Sequence, residues 1–352
     1  MNNLEKIDRN FVVETEIERE GLRFYDAEQP PFRIHGIFKE NGCFRRIPEE
    51  VAKQVSPGVH TLHTRSAGGR VRFVTDSPYV AIKTSYKPEK ASAFAVTGTC
   101  GFDIYEDVNK ESRYVRPFVP PFDVEDGYES VVDFSERRER CITINFPLAS
   151  TVKKLYIGLQ DGALLKPAPD YTIKTPVVFY GSSITQGCCA SRPGNSYESL
   201  LSRQFDFDYI NLGFSGNAKG EQEIADYIKG LNMSVFVYDY DYNAPNAEHL
   251  MQTHSRMFNT IRAAQPELPI IIMSRPSYYL NPIAEGQRKI IESTYEEAVK
   301  RGDKNVYFLD GPKLMALVKD NGLVDGCHPS DSGFFSMACA IGPVLEIIWE
   351  KN

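Results

Sequence analysis

Two rhythms of apolar and polar positions divide the chain. From Gly21 to about Gly158, short alternating or apolar runs recur: Val71-Arg-Phe-Val-Thr75, Val80-Ala-Ile-Lys-Thr84, Ala93-Phe-Ala-Val-Thr97, Phe102-Asp-Ile-Tyr105, Cys141-Ile-Thr-Ile-Asn145 and Lys154-Leu-Tyr-Ile-Gly158. Turn residues separate them, among them Gly68-Gly69, Asp76-Ser77-Pro78, Pro88 and Pro147. Many short strands spaced by turn signals predict an all-β sandwich or jelly roll, with one short helix over Pro48–Val55. After Pro176 the rhythm changes to strands alternating with helices. Strands are predicted at Val177–Tyr180, Tyr209–Leu212, Val235–Tyr240, Ile270–Ser274 and Val306–Asp310. Helices are predicted at Ser196–Phe205, Glu221–Leu231, Asn246–Ala264, Ala284–Arg301, Lys313–Lys319 and Ser332–Trp349. Crossovers of this length imply parallel pairing with right-handed connections, hence a doubly wound α/β sheet. Residues 160–176 carry Gly162, Pro167, Pro169 and Pro176 without periodicity and read as the linker. The expected division is a β-domain over residues 1–170 and an α/β domain over 171–352.

A parallel sheet gathers the carboxyl ends of its strands on one edge, where α/β proteins place their sites. After the five strands come Gly181-Ser-Ser183, Gly213-Phe-Ser-Gly216-Asn217, Asp239-Tyr-Asp-Tyr-Asn243, Ser274-Arg275-Pro276 and, beyond a short helix, Asp325-Gly-Cys-His328-Pro329. A serine hydroxyl needs a base before it is a useful nucleophile. His328 can supply one near neutral pH, and Asp325, three residues earlier, can fix its tautomer. The backbone N–H groups of Ser183 and Gly216 and the side-chain amide of Asn243 offer three donors to an oxyanion. Arg275 reads equally as a substrate contact or a salt-bridge partner. Tyr238, Tyr240 and Tyr242 read first as packing and second as a sugar-stacking face. His249 and His254 are five apart, a poor spacing for a helical metal pair, and no metal or organic cofactor is expected.

Composition narrows the classes. Hydrophobic residues make up 42% and charged residues 25% of the 352, ordinary for a globular protein. A net charge of −7 with scattered lysines and arginines argues against a nucleic-acid partner. No apolar run reads as a membrane span, and the start, Met1-Asn-Asn-Leu-Glu-Lys-Ile-Asp8, has no leader pattern. The seven cysteines are odd in number and irregular in spacing. They read as reduced thiols of a cytoplasmic protein, with Cys188, Cys189 and Cys327 as small buried or rim residues.

The edge residues also form a known pattern. Gly181-Ser182-Ser183-Ile184-Thr185, Asn211-Leu-Gly-Phe-Ser-Gly216, Asn243 and Asp325-Gly-Cys-His328-Pro329 resemble, in order, four blocks of the SGNH, or GDSL-like, hydrolases. Gly101-Phe-Asp-Ile-Tyr105 is similar to the Gly-x-Asp-Leu-Tyr signature of a β-sandwich that precedes some of them, with Ile104 for leucine. The resemblance implies a flavodoxin-like fold and ester hydrolysis, with Ser183 as nucleophile, and Ser183, Gly216 and Asn243 as oxyanion donors. Two positions depart from the pattern. Ser182 stands where the first block has aspartate, and Asp241 where the third has glycine. Asp241 is expected to reshape the pocket wall or add a carboxylate to it, making Asp241 and Arg275 candidate substrate contacts. Analogy with members carrying such a β-domain points to a short acyl group, such as acetyl, on a small-molecule or oligosaccharide ester. The alternatives are a thioester or lysophospholipid substrate, and a non-catalytic carbohydrate-binding protein that kept the fold.

Overall fold

The computed structural model describes residues 16–108 and 111–351, with Ile7 and Val13 before them. Apart from Ile7, the opening Met1–Asp8 stretch lies outside the described residues. The first half holds strands β1 (Leu22–Asp26), β2 (Arg33–His35), β3 (Phe38–Glu40), β4 (Cys43–Arg45), β5 (Arg70–Thr75), β6 (Tyr79–Lys87), β7 (Phe102–Val108), β8 (Glu111–Phe118), β9 (Gly127–Asp133), β10 (Arg140–Asn145), β11 (Thr151–Gln160) and β12 (Leu165–Pro167). It also holds the short helices α1 (Glu49–Val55), α2 (Pro57–Leu62) and α3 (Val96–Thr99). One sheet runs β1-β11-β6-β9 and a second runs β12-β5-β10-β7-β8, with β2 also on β5. Every pairing in them is antiparallel. Alternate residues of each strand point inward. Val71, Phe73, Ile104, Ile142 and Ile144 of one sheet meet Val80, Ile82, Leu155 and Ile157 of the other in one buried core. This is the sandwich that the alternating runs predict.

Two expectations change in this half. Ala93–Thr97 is a turn running into α3, not a strand. The segment leans against the second half: a Cβ on Gly98 would strike the Ala190 carbonyl, and Thr97 Oγ1 donates to Ser191 O at 2.6 Å. Tertiary contact overrides the local alternation. The supposed linker is also ordered. Its β12 pairs with β5 at the sheet edge, and the next strand begins at Ile173. Pro176 falls in the register shift between Ile173 and Val177, where a missing N–H costs no ladder bond.

The second half contains β13 (Ile173–Gly181), β14 (Phe207–Gly213), β15 (Val235–Asp239), β16 (Ile270–Met273) and β17 (Val306–Leu309), all parallel, in the order β14-β13-β15-β16-β17. This is the flavodoxin-like order, which reverses direction at β13. Its helices are α4 (Ser183–Gln186), α5 (Tyr197–Phe205), α6 (Gln222–Ile228), α7 (Ala247–Ala264), α8 (Pro282–Lys300), α9 (Gly311–Leu314) and α10 (Asp331–Glu350). Side chains of Ser196, Asn246, Asn281 and Ser330 cap four of them, so those starts are written in the sequence. The helix expected over Lys313–Lys319 is instead the four-residue α9, with a separate 3-10 turn at Lys319–Gly322.

The sheet is covered on both faces. Val177 and Phe179 of β13 pack with Leu201 of α5 and Phe334, Met337 and Ile341 of α10. Val178 and Tyr180 face Ile224, Leu250, Met257 and Ile291 from α6, α7 and α8. That second core also takes in Ala52, Val55, Val59 and Leu62, so α1 and α2 of the first half pack on the parallel sheet. Among the described residues α10 alone is long and apolar enough to cross a membrane; half of its best stretch is buried in the fold.

Candidate active site

The nucleophile position is built by a strand that ends against a very short helix. β13 stops at Gly181, where a Cβ would collide with Asp239 and Thr185, so only glycine lets α4 turn this tightly. Ser182 caps α4: its side chain accepts the Ile184 N–H at 3.1 Å, while its own N–H donates to Asp239 O at 3.1 Å. The residue in the aspartate's place thus does a capping carboxylate's hydrogen-bonding work without its charge. Ser183 is the first residue of α4 and is 6% exposed. Beneath it, the Thr185 hydroxyl donates to the Asp239 carboxyl and lies 3.3 Å from Tyr197 OH. Burial pushes Asp239 well above the usual carboxylate range, against the opposing bond from Thr185.

Ser183 Oγ lies 2.8 Å from His328 Nε2, and His328 Nδ1 lies 2.8 Å from Asp325 Oδ2. The other Asp325 oxygen accepts the backbone N–H groups of Cys327 at 3.1 Å and His328 at 2.8 Å. Burial raises the Asp325 carboxyl, but these bonds and the facing imidazole outweigh it and leave the group below its ordinary range. An ionised Asp325 requires a proton on Nδ1, leaving the Nε2 lone pair toward the serine. The three residues expected to converge are in one hydrogen-bonded chain.

Gly216 follows β14 at φ +69°, in open space and exposed. Among the described residues no protein acceptor takes its N–H or that of Ser183. Asn243 Oδ1 accepts the Ala218 N–H at 3.2 Å, which leaves its NH₂ as the free end of the amide. Gln186 braces the same loop: its Oε1 accepts the Ser215 N–H at 3.2 Å and its Nε2 donates to Leu148 O at 3.0 Å. A Cβ on Gly213 would strike the backbone of Gln186, so this packing also requires glycine.

Asp241 and Arg275 are brought together, but against one another. Asp241 is buried and its Oδ2 accepts both the N–H and the Nε–H of Arg275, at 3.2 and 3.1 Å. Arg275 also bonds Gln287 and lies over the Tyr242 ring at 4.2 Å. The expected extra pocket carboxylate is thus occupied by its own arginine. Tyr238 and Tyr240 are buried core residues stacked on His254, so they form no sugar-stacking face. His254 itself bonds Thr294 Oγ1 at 2.8 Å and is pushed down to about 3 by burial, while His249 meets Lys219 O at 2.7 Å. Cys189 Sγ, an Asp325 oxygen and a His328 nitrogen lie within 4.8 Å of one another, close enough for a metal ion. Burial, with the Asp325 charge beside it, raises the Cys189 thiol to about 12, which disfavours the thiolate a metal needs.

Two residues that sequence reasoning missed come from the first half. Phe94 packs edge-on against the His328 ring, centroids 5.7 Å apart. Arg46, fully buried, donates to the carbonyls of Asn211 (3.3 Å), Gly213 and Leu62 (2.8 Å), and stacks on Phe214 at 4.7 Å. Burial pushes its guanidinium down to about 9, which leaves it charged at neutral pH. Nothing in a lone aromatic or an Arg-Arg pair marks either residue; both acquire a role only when the halves dock. Asp103 does not reach the nucleophile. It is buried against Arg192 at 3.3 Å, the Gly194 N–H at 2.9 Å and Asn145 Nδ2 at 2.8 Å.

Residues 174–346 match the model of the GDSL-like lipase/acylhydrolase family, and residues 22–165 match the model for the N-terminus of SGNH hydrolase-type esterases. The chain belongs to the SGNH, or GDSL-like, hydrolases. Its N-terminal sandwich is of the GxDLY type, and it is an ester hydrolase of the SGNH class. No curated protein sequence matches it significantly. Among solved structures, a protein of Bacteroides ovatus assigned as a GDSL-like lipase is 27% identical, with a TM-score of 0.84 over 94% of this chain and 98% of that one. A salicylyl-acyltransferase from a tetracycline biosynthetic pathway is 20% identical, with a TM-score of 0.76 over 94% and 98%. An acetyl xylan esterase from the rumen bacterium Butyrivibrio proteoclasticus is 12% identical, with a TM-score of 0.59 over 93% and 98%. The last two share the fold with this SGNH hydrolase.

Proposed function

We propose that this SGNH hydrolase removes a short acyl group, acetyl in the first instance, from a carbohydrate ester through an acyl-enzyme on Ser183. The observation that carries the reading is the chain from Ser183 Oγ to His328 Nε2 and from His328 Nδ1 to Asp325, each step 2.8 Å. In the first step Ser183 Oγ bonds to the acyl carbon and its proton passes to His328 Nε2. The carbonyl oxygen takes the negative charge, facing the N–H groups of Ser183 and Gly216 and the Asn243 NH₂. As the intermediate collapses, the bond to the sugar oxygen breaks and that oxygen receives the proton from His328. A water molecule then gives a proton to His328 and its oxygen to the acyl carbon, the free acid leaves, and Ser183 regains its proton. Asp325 stays ionised throughout and stabilises the imidazolium formed in each half. The free amide end of Asn243 and the open position of Gly216 support the oxyanion assignment. The names of similarly folded carbohydrate esterases support the sugar.

A panel of p-nitrophenyl acetate, butyrate and octanoate, followed by acetylated oligosaccharides, tests the reading. The expected order is acetate over octanoate, with acetate released from the oligosaccharide and neither reaction seen with Ser183→Ala. Octanoate preferred over acetate overturns the short-acyl assignment, and activity retained in Ser183→Ala overturns the nucleophile.

A further inference from the structure

A cavity well apart from the crevice at Ser183 opens elsewhere in the molecule. It lies at the seam of the two halves, occupies about 370 Å³ and contains none of Ser183, His328 or Asp325. Its volume is that of a small-molecule site. The second sheet of the sandwich supplies one wall, with Arg72, Asp107 and Thr143, and α5 supplies the other, with Ser199, Ser202 and Arg203. Tyr171 and Tyr209 stand between them.

The charges on these walls are not equally satisfied. Arg70 is held by Asp208, and Arg72 by Asp107 at 3.3 Å, the Pro169 carbonyl at 3.1 Å and the face of Tyr171 at 4.1 Å. Each wall carboxylate also has a partner. Asp107 has Arg72; Asp170 has Arg33 and Lys174; Asp206 accepts the Thr172 N–H at 3.0 Å and hydroxyl at 2.6 Å. Arg203 is the exception. Its side chain makes no ion pair or hydrogen bond among the described residues, and its Nη1 is enclosed without an acceptor. Its guanidinium lies over the Tyr105 ring at 4.2 Å. Asp103, whose carboxyl feels the Arg203 charge, is already engaged by Arg192 at 3.3 Å. A guanidinium at the cavity wall without a carboxylate partner is open to a ligand carboxylate or phosphate, through N–H groups other than the enclosed Nη1.

The other free groups on the walls donate as well. The Thr143 oxygen accepts Arg72 Nε at 3.3 Å and the Tyr171 oxygen accepts Arg70 Nε at 3.2 Å, so both hydroxyl protons are available to a ligand. One unpaired cation, two hydroxyl donors and an aromatic wall call for an anionic, acceptor-rich molecule. We propose that the seam cavity binds a small organic anion of monosaccharide size, a carboxylate or a phosphate ester, through Arg203. This site is separate from the crevice and stands whatever ester the enzyme cleaves.

Titration calorimetry of the full chain with glucuronate, glycerol phosphate and neutral glucose tests this. One or both anions should bind one per chain and glucose should not, the better anion deciding between carboxylate and phosphate. Arg203→Met should weaken the anion by at least about tenfold, the worth of a charge-assisted hydrogen bond. Arg203→Lys should restore part of the affinity, and both variants should keep wild-type hydrolysis of p-nitrophenyl acetate. If Arg203→Met does not fold, Thr143→Val should weaken the same anion by a smaller factor. Glucose binding as well as the anions, binding of neither anion, or binding indifferent to both substitutions overturns the proposal.

Discussion

In the parallel half, Ser183, Gly216 and Asn243 each follow a strand of one sheet, β13, β14 and β15, and meet because the topology puts those ends on one edge. In the antiparallel half, the residues that matter to the site sit outside the sheets. Arg46 follows β4, and Phe94 lies in the turn before α3. The first set presents atoms that can react or donate to a substrate. The second presents an aromatic edge to His328, two hydrogen bonds to the backbone at Asn211 and Gly213, and one to the Leu62 carbonyl. On the proposed reaction, the contrast is between groups assigned to the chemistry and groups that hold them in place. A family match to each half separately does not reveal the second role, because it exists only across the seam.

Substitutions separate those roles. The largest loss should come from the parallel half. Asp325→Asn keeps the size of the side chain but favours the wrong tautomer of His328, and kcat should fall by about 10⁴-fold with the melting temperature little changed. A loss of tenfold or less would mean that Asp325 is only a cap for the His328 turn. Next should come Arg46→Met, which strands the carbonyls of Leu62, Asn211 and Gly213 in a dry interior. A stability loss of about 2–3 kcal/mol and a fall in kcat of about tenfold are expected, since the oxyanion loop loses its brace. Urea unfolding and steady-state kinetics measure the two. Wild-type kcat in a destabilised variant would reduce Arg46 to a packing residue.

Phe94→Ala should act more mildly. With one edge of His328 uncovered, KM for an acetylated sugar should rise a few-fold, about 1 kcal/mol of lost aromatic contact, while kcat on p-nitrophenyl acetate holds. A change in kcat alone would place Phe94 with the chemistry and blur the contrast. The smallest effect concerns Glu198, a wholly buried carboxyl on α5 that burial lifts well above its ordinary range. Folding therefore favours its protonated form. Its contribution is full below about pH 4, the unfolded value, and is lost as pH rises toward the folded one. Glu198→Gln should remove that slope, so its melting temperature should gain on wild type with rising pH. A constant difference at all pH values would contradict the assignment.

The same contrast decides what could be read from the sequence. The parallel strands are legible as short, largely apolar runs, most plainly Val235–Asp239 and Ile270–Met273, which are buried at every position. Helix starts at Ser196 and Asn246 coincide with capping residues, whereas those expected at Ala284 and Ser332 fall one or two residues inside helices capped by Asn281 and Ser330. The chain from Ser183 to Asp325 followed from those elements plus one topological rule. Ala93–Thr97 reads as a strand in sequence because its alternation is local, whereas its conformation is set by contact with Ala190 and Ser191. The 160–176 stretch looked like a linker because prolines break periodicity, yet an edge strand and a register shift both tolerate them. Asp241 could not be assigned because its partner, Arg275, lies 34 residues away and the pair declares itself only in space.

The proposed reaction rests on covalent chemistry at one oxygen. Rapid quenching of the enzyme with p-nitrophenyl acetate, followed by peptide mass spectrometry, tests it directly. A single acetyl adduct is expected on the peptide carrying Ser183, absent in Ser183→Ala and, where it forms, longer-lived in His328→Ala. Turnover of the substrate with Ser183 never acylated, or an adduct that forms elsewhere and is competent in turnover, would contradict it.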